Sequence, residues 1–158
     1  MKRAVLFALA VAALCGCASG SPAKKSKVAL QPADGSLVLG PLPASSVPAG
    51  QCGMILWSLD ENRPAPVFRY ISGKTAEVVI SGVPVELTSV EASGSMAFGV
   101  FEHHEFSSAA GLTVTVDVRF SLGFDGGVYL ERGLIVVEAL DGWRTVAPSA
   151  GLAGCRSS

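Results

Sequence analysis

Apolar and polar side chains alternate along several stretches of the chain. Residues 113–120 read Thr-Val-Thr-Val-Asp-Val-Arg-Phe, and residues 83–88 follow the same alternation. Successive side chains of a strand point to opposite faces of a sheet, so a period of two predicts strands with one buried face. No window has a sustained helical period, and at most one short helical turn is predicted, near residues 107–110. Further strands are predicted at 53–59, 67–71, 76–80, 96–106, 128–140 and 143–147.

Turn residues separate these predicted strands. Ser72-Gly73, Ser81-Gly82, Asp125-Gly126-Gly127 and Asp141-Gly142 lie between them. The Asp-Gly pair at 141–142 predicts a two-residue hairpin in which both central residues take positive φ. Short connections place consecutive strands side by side and antiparallel. The chain is therefore predicted to be all-β, an antiparallel meander of about eight strands that forms a small barrel or a sandwich.

The N-terminus has the pattern of a targeting signal. Lys2 and Arg3 precede an apolar run over residues 4–14, which is too short to span a bilayer and typical of a secretory signal. Residues 14–17, Leu-Cys-Gly-Cys, resemble the lipobox of bacterial lipoproteins. That resemblance implies a signal peptide over 1–16, cleavage before Cys17 and acylation of Cys17, including palmitate. An ordinary cleaved signal with a chance cysteine is the alternative.

Residues 17–50 are predicted to be the lipidated N-terminus and a flexible linker, and residues 51–158 the β domain. Ala, Ser, Pro and Gly dominate the linker, and a lysine cluster lies at residues 24–27. These lysines either contact anionic lipid headgroups or are simply solvated. Ala18 after the lipidated cysteine favours, by the same resemblance, an outer-membrane anchor with the domain facing the periplasm.

Composition and charge exclude two classes of protein. Only 16% of the residues are charged and 49% are hydrophobic, which predicts a folded chain rather than a disordered one. The chain has 12 Lys and Arg against 13 Asp and Glu, and the signal peptide would remove two of the basic residues. Binding to a phosphate backbone needs clustered basic residues, so no nucleic-acid partner is predicted.

The four cysteines sort into two groups. Cys15 would leave with the signal peptide and Cys17 would carry the lipid, which leaves Cys52 and Cys155. Such a pair in an oxidising envelope compartment predicts one disulfide, which would join the first strand of the domain to its last segment. A metal-binding or nucleophilic thiol is the alternative, although neither cysteine has a nearby partner motif.

One cluster combines the residue types that bind metals. Glu102, His103, His104 and Glu105 are consecutive and include both histidines of the chain. In a strand, Glu102 and His104 would share one face, and His103 and Glu105 the other. Because zinc needs three or four ligands, these four residues are only weak metal candidates, and no cofactor is predicted. The alternatives are a charged strand end or loop and a pH-sensitive contact with a partner.

The sequence lacks the usual catalytic patterns. The Gly-Lys-Thr of residues 73–75 resembles the end of a phosphate-binding loop, but Phe68 occupies the position of its first glycine, and a hairpin turn is predicted instead. There is no Gly-x-Ser-x-Gly elbow. No catalytic residue is therefore predicted, and the chain is expected not to be an enzyme. Trp57 and Trp143 are predicted to pack against the disulfide end of the core.

Two resemblances bear on function. Residues 51–57 and 142–155 resemble an uncharacterised family of small Gram-negative envelope lipoproteins, which implies no activity. Residues 90–96 are similar to a Ser-Gly stretch of the membrane-bound inhibitors of c-type lysozyme, lipoproteins with an eight-stranded barrel and a disulfide. The basic and aromatic residues that follow Ser-Gly in those inhibitors are absent here.

Together these features predict a lipid-anchored envelope protein whose non-catalytic β domain binds another envelope component, either a protein or a peptidoglycan-associated partner. One alternative is a periplasmic binder similar to the lysozyme inhibitors. The other is an unrecognised hydrolase or metal-dependent enzyme.

Overall fold

The computed structural model describes residues 37–43, 46–60 and 64–158, and all of their regular structure is β. The predicted signal peptide and the predicted lipidation site, Cys17, lie outside these residues. None of the described residues belongs to a helix that is long and apolar enough to cross a membrane. The strands are β1 (Leu39–Gly40), β2 (Cys52–Ser58), β3 (Pro66–Ile71), β4 (Thr75–Ile80), β5 (Val83–Ala97), β6 (Val100–Ser108), β7 (Thr113–Phe124), β8 (Gly127–Glu138) and β9 (Arg144–Cys155).

Strands β2 to β9 form a closed eight-stranded antiparallel barrel. Each strand pairs with the next along the chain, and β9 pairs back with β2. The short β1 pairs with the end of β4, beyond the residues of β4 that pair with β3. The all-β antiparallel meander is therefore confirmed, and of the two architectures left open by the sequence the barrel is the one that forms.

The disulfide lies where the barrel closes. Cys52 and Cys155 are directly opposite each other in the β2–β9 ladder, and their sulfurs are 1.96 Å apart. The two residues are separated by 103 positions in the chain. In chain-entropy models a crosslink around a loop of that size stabilises the folded state by about 4.7 kcal/mol. The predicted disulfide is confirmed.

The barrel has two ends that are used as landmarks below. The disulfide end carries Cys52, Cys155 and the β3–β4, β5–β6 and β7–β8 connections, and the far end carries the β4–β5, β6–β7 and β8–β9 connections. Between the ends, every second side chain of each strand points into the barrel. The inner face of β7, for example, buries Val114, Val116 and Val118, as the alternation predicted. The largest fully buried apolar side chains are those of Phe68, Phe106, Met54, Leu56, Ile80, Leu87, Leu130 and Ile135.

Strands β5 and β6 extend past their neighbours at the disulfide end. Strand β5 pairs with β4 only as far as Thr88, and the pairing of β6 with β7 begins only at His103. Residues 89–102 therefore form a two-stranded arm, here called the β5–β6 arm. Its connection reaches the β3–β4 connection, where the Ser72 hydroxyl donates a hydrogen bond to the Gly99 carbonyl at 3.1 Å. Because Val100 is fully buried, the arm also covers part of the core at this end.

The prediction of a single strand over residues 96–106 was wrong. The chain reverses at Phe98-Gly99, where both residues have positive φ (53° and 71°) between the paired residues Ala97 and Val100. Two-residue hairpin turns of this type favour Asn, Asp or Gly, and a phenylalanine gives no turn signal in the sequence. The residues of β5 before this turn are exposed on both faces, so they also lack the alternation that marks a strand.

The connection at 141–142 also differs from the expected two-residue turn. Only Gly142 has positive φ (88°), and Ala139 and Trp143 close the loop through a backbone hydrogen bond of 2.9 Å. Trp143 lies in this connection at the far end and is 55% exposed. The twelve residues of β9 carry the chain about 40 Å away from Trp143 before Cys155 is reached. Trp57 lies on the outer face of β2, so the predicted packing of both tryptophans at the disulfide end was wrong.

The helical turn that was expected near residues 107–110 does not form in this part of the described chain. Strand β6 continues to Ser108, and the Gly111 N–H then donates a backbone hydrogen bond to the Ser108 carbonyl at 3.0 Å. This bond closes a tight turn between β6 and β7. The Ser108 hydroxyl also accepts a hydrogen bond from the Leu112 N–H, which fixes the turn without a helix.

Residues 37–43 and 46–50, which the sequence placed in the linker, pack against the barrel. The Thr145 hydroxyl donates a hydrogen bond to the Leu37 carbonyl at the far end, and Leu37 and Leu42 are both buried. The segment then follows the outside of the barrel to the disulfide end, where the Gly50 N–H donates to the Arg156 carbonyl at 2.8 Å. Residue 37, the first described residue, therefore lies at the end of the barrel opposite the disulfide.

Candidate binding surface on the outer wall

Strand β6 separates the four residues that the sequence singled out. The alternation places His104 inside the barrel, where it is 1% exposed, and His103 on the outside, where it pairs with Asp117. The predicted division of the two histidines between opposite faces is confirmed. Among the described residues no group of three His, Cys, Asp or Glu side chains is arranged to hold a metal ion.

His104 accepts a backbone hydrogen bond from the β5–β6 arm, close to its turn. Its Nε2 accepts a hydrogen bond from the Phe101 N–H at 2.9 Å. Phe101 lies beyond the last residue of β6 that pairs with β7, so the imidazole supplies the acceptor that a neighbouring strand would otherwise provide. The ring packs against Tyr70 and Phe106, with centroids 5.0 and 5.3 Å away.

Burial lowers the pKa of His104 to about 4, and the neighbouring His103 lowers it further in the same direction. The ring is therefore neutral at pH 7. Since Nε2 accepts a hydrogen bond, the proton of the neutral ring is on Nδ1, which is buried and has no hydrogen-bond partner among the described residues. His104 is thus a structural residue of the interior.

Glu102 bridges the gap where β6 separates from β7. Its carboxylate accepts hydrogen bonds from the hydroxyl and the backbone of Ser95 and from the backbone of Phe120, with Arg119 nearby. These interactions, led by the Ser95 hydroxyl, hold the pKa of the Glu102 carboxyl below its ordinary value. The fourth residue, Glu105, lies on the outer face between Glu91 of β5 and Thr115 of β7.

His103 lies in a cleft of about 400 Å³ on the outer wall of the barrel. Its Nδ1 is 2.7 Å from Oδ1 of Asp117, the residue directly opposite on β7. A carboxylate in this position orients an imidazole ring, but the lining of the cleft includes no serine, threonine or cysteine that the ring could activate. The lining residues, called the arginine cleft below, are Glu102, His103, Asp117, Val118, Arg119 and Arg132.

An apolar surface adjoins the arginine cleft. His103 pairs with Asp117, Asp117 with Leu134 on β8, and Leu134 with Pro148 on β9. These four outward-facing residues therefore form one row across the wall of the barrel. Leu134 is 37% exposed, and in the next row Val146 is 51% exposed beside Val136. A charged cleft and an exposed apolar strip therefore form one continuous surface across β6 to β9. The name outer-wall surface denotes the arginine cleft together with Leu134, Val146 and Pro148.

Sequence reasoning missed most of this surface. Asp117 and Arg119 occupy the polar positions of an alternating strand. Ordinary solvated charges occupy the same positions, so the pattern did not mark these two residues as functional. Their proximity to Arg132 depends on the register of β7 and β8 and on irregular pairing between Leu130 and Gly133. The only available signal was the break in alternation at residues 131–133, where Glu-Arg-Gly interrupts an apolar strand.

The Gly-Lys-Thr motif of residues 73–75 is the β3–β4 hairpin turn that the sequence predicted. Gly73 has a φ of 69°, and the Lys74 N–H donates a hydrogen bond to the Ile71 carbonyl at 2.9 Å. No helix follows this turn, because Thr75 begins β4. The motif therefore lacks the helix N-terminus that holds phosphate in a phosphate-binding loop.

Comparison of the whole chain with protein-family models, with curated proteins and with solved structures found no significant match. The two family resemblances described above stay predictions.

Proposed function

We propose that this chain is a lipid-anchored, non-catalytic binding protein of the bacterial cell envelope. Acylation of Cys17 would hold it at a membrane, and the barrel would bind another envelope protein through the outer-wall surface. The proposal combines the lipobox resemblance with the composition and position of that surface.

The observation that carries the proposal is the combination of exposed apolar residues and arginines on one wall. Leu134, Pro148 and Val146 are exposed side by side on the sheet, next to Arg119 and Arg132. Exposed apolar patches with a polar border are typical of interaction sites, and arginine is enriched in protein interfaces. The outer-wall surface has both properties.

The course of the chain is compatible with binding from a membrane anchor. The described residues begin at the far end, and 19 residues separate Cys17 from Leu37, enough to span at most roughly 70 Å. Most of the outer-wall surface lies away from residues 46–50, which contact β3 and the disulfide end, and only its Pro148 lines a cavity together with Leu37. A tether of this reach would leave the surface open to a partner.

Site-specific photocrosslinking tests the proposed surface. A benzoylphenylalanine in place of Leu134 should give a discrete adduct with another protein after irradiation of intact envelopes. The matched control is the same substitution at Glu86, an exposed residue on β5 paired with Glu77 of β4, on another part of the wall. Equal adducts from both positions, or none from position 134, would contradict the proposal.

Metabolic labelling tests the anchor. Cells that express the wild-type chain and are fed labelled palmitate should yield a labelled band, and the Cys17→Ser variant should yield an unlabelled one that fractionates away from membranes. Label that persists in Cys17→Ser would overturn the assignment of Cys17.

A second candidate function is inhibition of a c-type lysozyme. The closed eight-stranded barrel and its disulfide have the architecture that this resemblance implies, and residues 90–96 are exposed along the β5–β6 arm. The full chain should then block a c-type lysozyme at near-stoichiometric amounts, and a Ser93→Arg variant should lose the effect. Undiminished activity of several lysozymes in the presence of excess chain removes this candidate.

A further inference from the structure

We propose that Arg132, assisted by Arg119, binds a carboxylate side chain of the protein partner. This inference deepens the proposed function, on which it rests for the identity of the partner as a protein. It assigns a chemical role to one residue of the arginine cleft, and the argument begins with the backbone of that residue.

Arg132 has a left-handed backbone conformation in the middle of a strand. Its φ is 51°, and the other two described non-glycine residues with positive φ, Ser81 and Phe98, are in two-residue turns. L-residues are disfavoured in this region because Cβ approaches the following carbonyl oxygen, whereas glycine adopts it freely. Strained residues of this kind are concentrated at functional sites.

The strain at Arg132 has a structural origin in the adjacent β8–β9 contact. Leu130 pairs with Gly151 and Gly133 pairs with Ser149, so two residues of β8, Glu131 and Arg132, face one residue of β9. A Cβ at Gly133 would lie 2.5 Å from the Ser149 hydroxyl oxygen, so the two strands approach closely there. The resulting bulge has positive φ at residue 132, and nothing in its backbone geometry calls for an arginine there.

The guanidinium of Arg132 is available for a ligand. Neither of the two ion pairs formed among the described residues involves it. The nearby carboxylates already have partners, since Asp117 holds His103 and Glu131 accepts a hydrogen bond of 2.8 Å from Ser121. Glu102 is held by Ser95, Phe120 and Arg119.

The chemistry of the site favours a carboxylate. A guanidinium presents parallel N–H donors that match the two oxygens of a carboxylate, and a second arginine adds charge and donors. A phosphate could use the same donors. The exposed Leu134 and Pro148 beside the cleft favour a protein partner, and the anionic groups that protein side chains carry are carboxylates.

Titration with glutarate tests the site without the natural partner. The ¹⁵N-labelled full chain is purified from membranes in detergent, and the Nε–Hε signals of its arginines are followed by NMR. Glutarate should shift the Arg132 and Arg119 signals saturably, while Arg69, which is paired with Glu77, stays unchanged. A parallel titration with inorganic phosphate should give weaker binding than glutarate. Phosphate binding that is as tight as glutarate binding or tighter, or a uniform shift of all arginines, would overturn the inference.

Three variants separate binding from structure. Arg132→Gly should abolish the saturable shift of Arg119 and, because glycine relieves the strain, raise the thermal unfolding midpoint by about 3 °C. Arg132→Lys keeps the strain and one charge, so the midpoint should not rise and glutarate should bind several-fold more weakly. Arg144→Gly is the control: this exposed arginine has ordinary φ, so the substitution should not raise the midpoint and should leave glutarate binding intact. Glutarate binding that survives in Arg132→Gly would contradict the proposal.

Photocrosslinking from position 134 distinguishes the two proposals. If the Arg132→Gly chain crosslinks to its partner with an undiminished yield, the carboxylate site is wrong and the proposed function stands. If glutarate binds at Arg132 but position 134 captures no protein, the site stands and the proposed function fails.

Discussion

At residue 104 the chain buries an imidazole where the rest of the barrel interior is almost entirely apolar. The ring accepts a hydrogen bond from the backbone N–H of Phe101, a residue near the turn of the β5–β6 arm that lies beyond the pairing of β6 with β7. An unpaired buried N–H costs about 1–3 kcal/mol, so the acceptor at Nε2 contributes to holding the arm on the barrel. The same hydrogen bond makes the arm sensitive to protonation, because a protonated imidazole has two donors and no acceptor.

The barrel should become less stable as the pH falls, because of His104. The folded-state pKa of about 4 lies below the ordinary value of 6.5, so between these values the unfolded chain binds more protons than the folded one. The contribution is complete above about pH 6.5 and decreases as the pH falls towards 4, amounting to about 2 kcal/mol between pH 7 and pH 4.5. Urea unfolding at the two pH values measures it.

Two variants identify the group responsible. His104→Phe keeps an aromatic ring in the interior but cannot titrate, so it should be less stable at pH 7 and have a flatter pH dependence. His103→Gln removes the smaller of the two causes that lower the pKa of His104, and burial remains, so this variant should keep most of the wild-type pH dependence. A wild-type pH dependence that survives in His104→Phe would show that another group is responsible.

At the scale of strands and turns, alternation and turn chemistry explain most of the fold, and their failures are equally informative. The alternating β7 and the Ser81-Gly82 turn, with φ values of 49° and 81°, follow directly from the sequence. The turn at Phe98 could not be predicted, because nothing local favours a phenylalanine at positive φ. The same applies to Arg132, whose position in the cleft depends on a bulge that forms only when β8 meets β9.

The β5–β6 connection should be improved by a residue that suits its conformation. Phe98→Asn creates an Asn-Gly turn at positive φ and should stabilise the protein by about 0.5–1 kcal/mol in urea unfolding. Phe124→Asn is the matched control, since Phe124 is similarly exposed but has no positive φ and packs against Tyr129. The control should be neutral or destabilising. A loss of stability in Phe98→Asn would mean that the ring of Phe98 matters more than the backbone strain.

At the scale of the whole molecule, the barrel is closed by the ladder between its first and last strands and by the disulfide within that ladder. All seven residues of β2 pair with β9, so the closure does not depend on the disulfide alone. The sequence predicted the disulfide because Cys52 and Cys155 remained after the other cysteines were assigned. It could not predict that the two residues would be directly opposite each other, because that depends on the register around the entire barrel.

Removal of the disulfide should weaken the barrel without abolishing it. The double variant Cys52→Ser, Cys155→Ser should be about 3–5 kcal/mol less stable than wild type and should keep its β-type circular dichroism at 25 °C. Hydrogen exchange should increase most in β2 and β9. A variant that exchanges faster only in other strands would contradict this assignment of the disulfide to barrel closure.

The candidate surface is a property of the whole molecule, because four strands contribute to it and no single segment contains it. The sequence located His103 but not its neighbours, since a strand register is needed to place Asp117, Leu134 and Pro148 in one row. The anchor, in contrast, is a local motif that can be read directly around Cys17. The proposed function depends on both features acting together.

Photocrosslinking in intact envelopes tests that combination most directly. Benzoylphenylalanine at position 134 should capture a discrete protein in the wild-type background, and the yield should drop several-fold when Cys17→Ser removes the anchor. The same probe at position 86 should capture little in either background. Capture from position 134 that is no greater than capture from position 86, in chains that are folded and membrane-bound, would contradict the account.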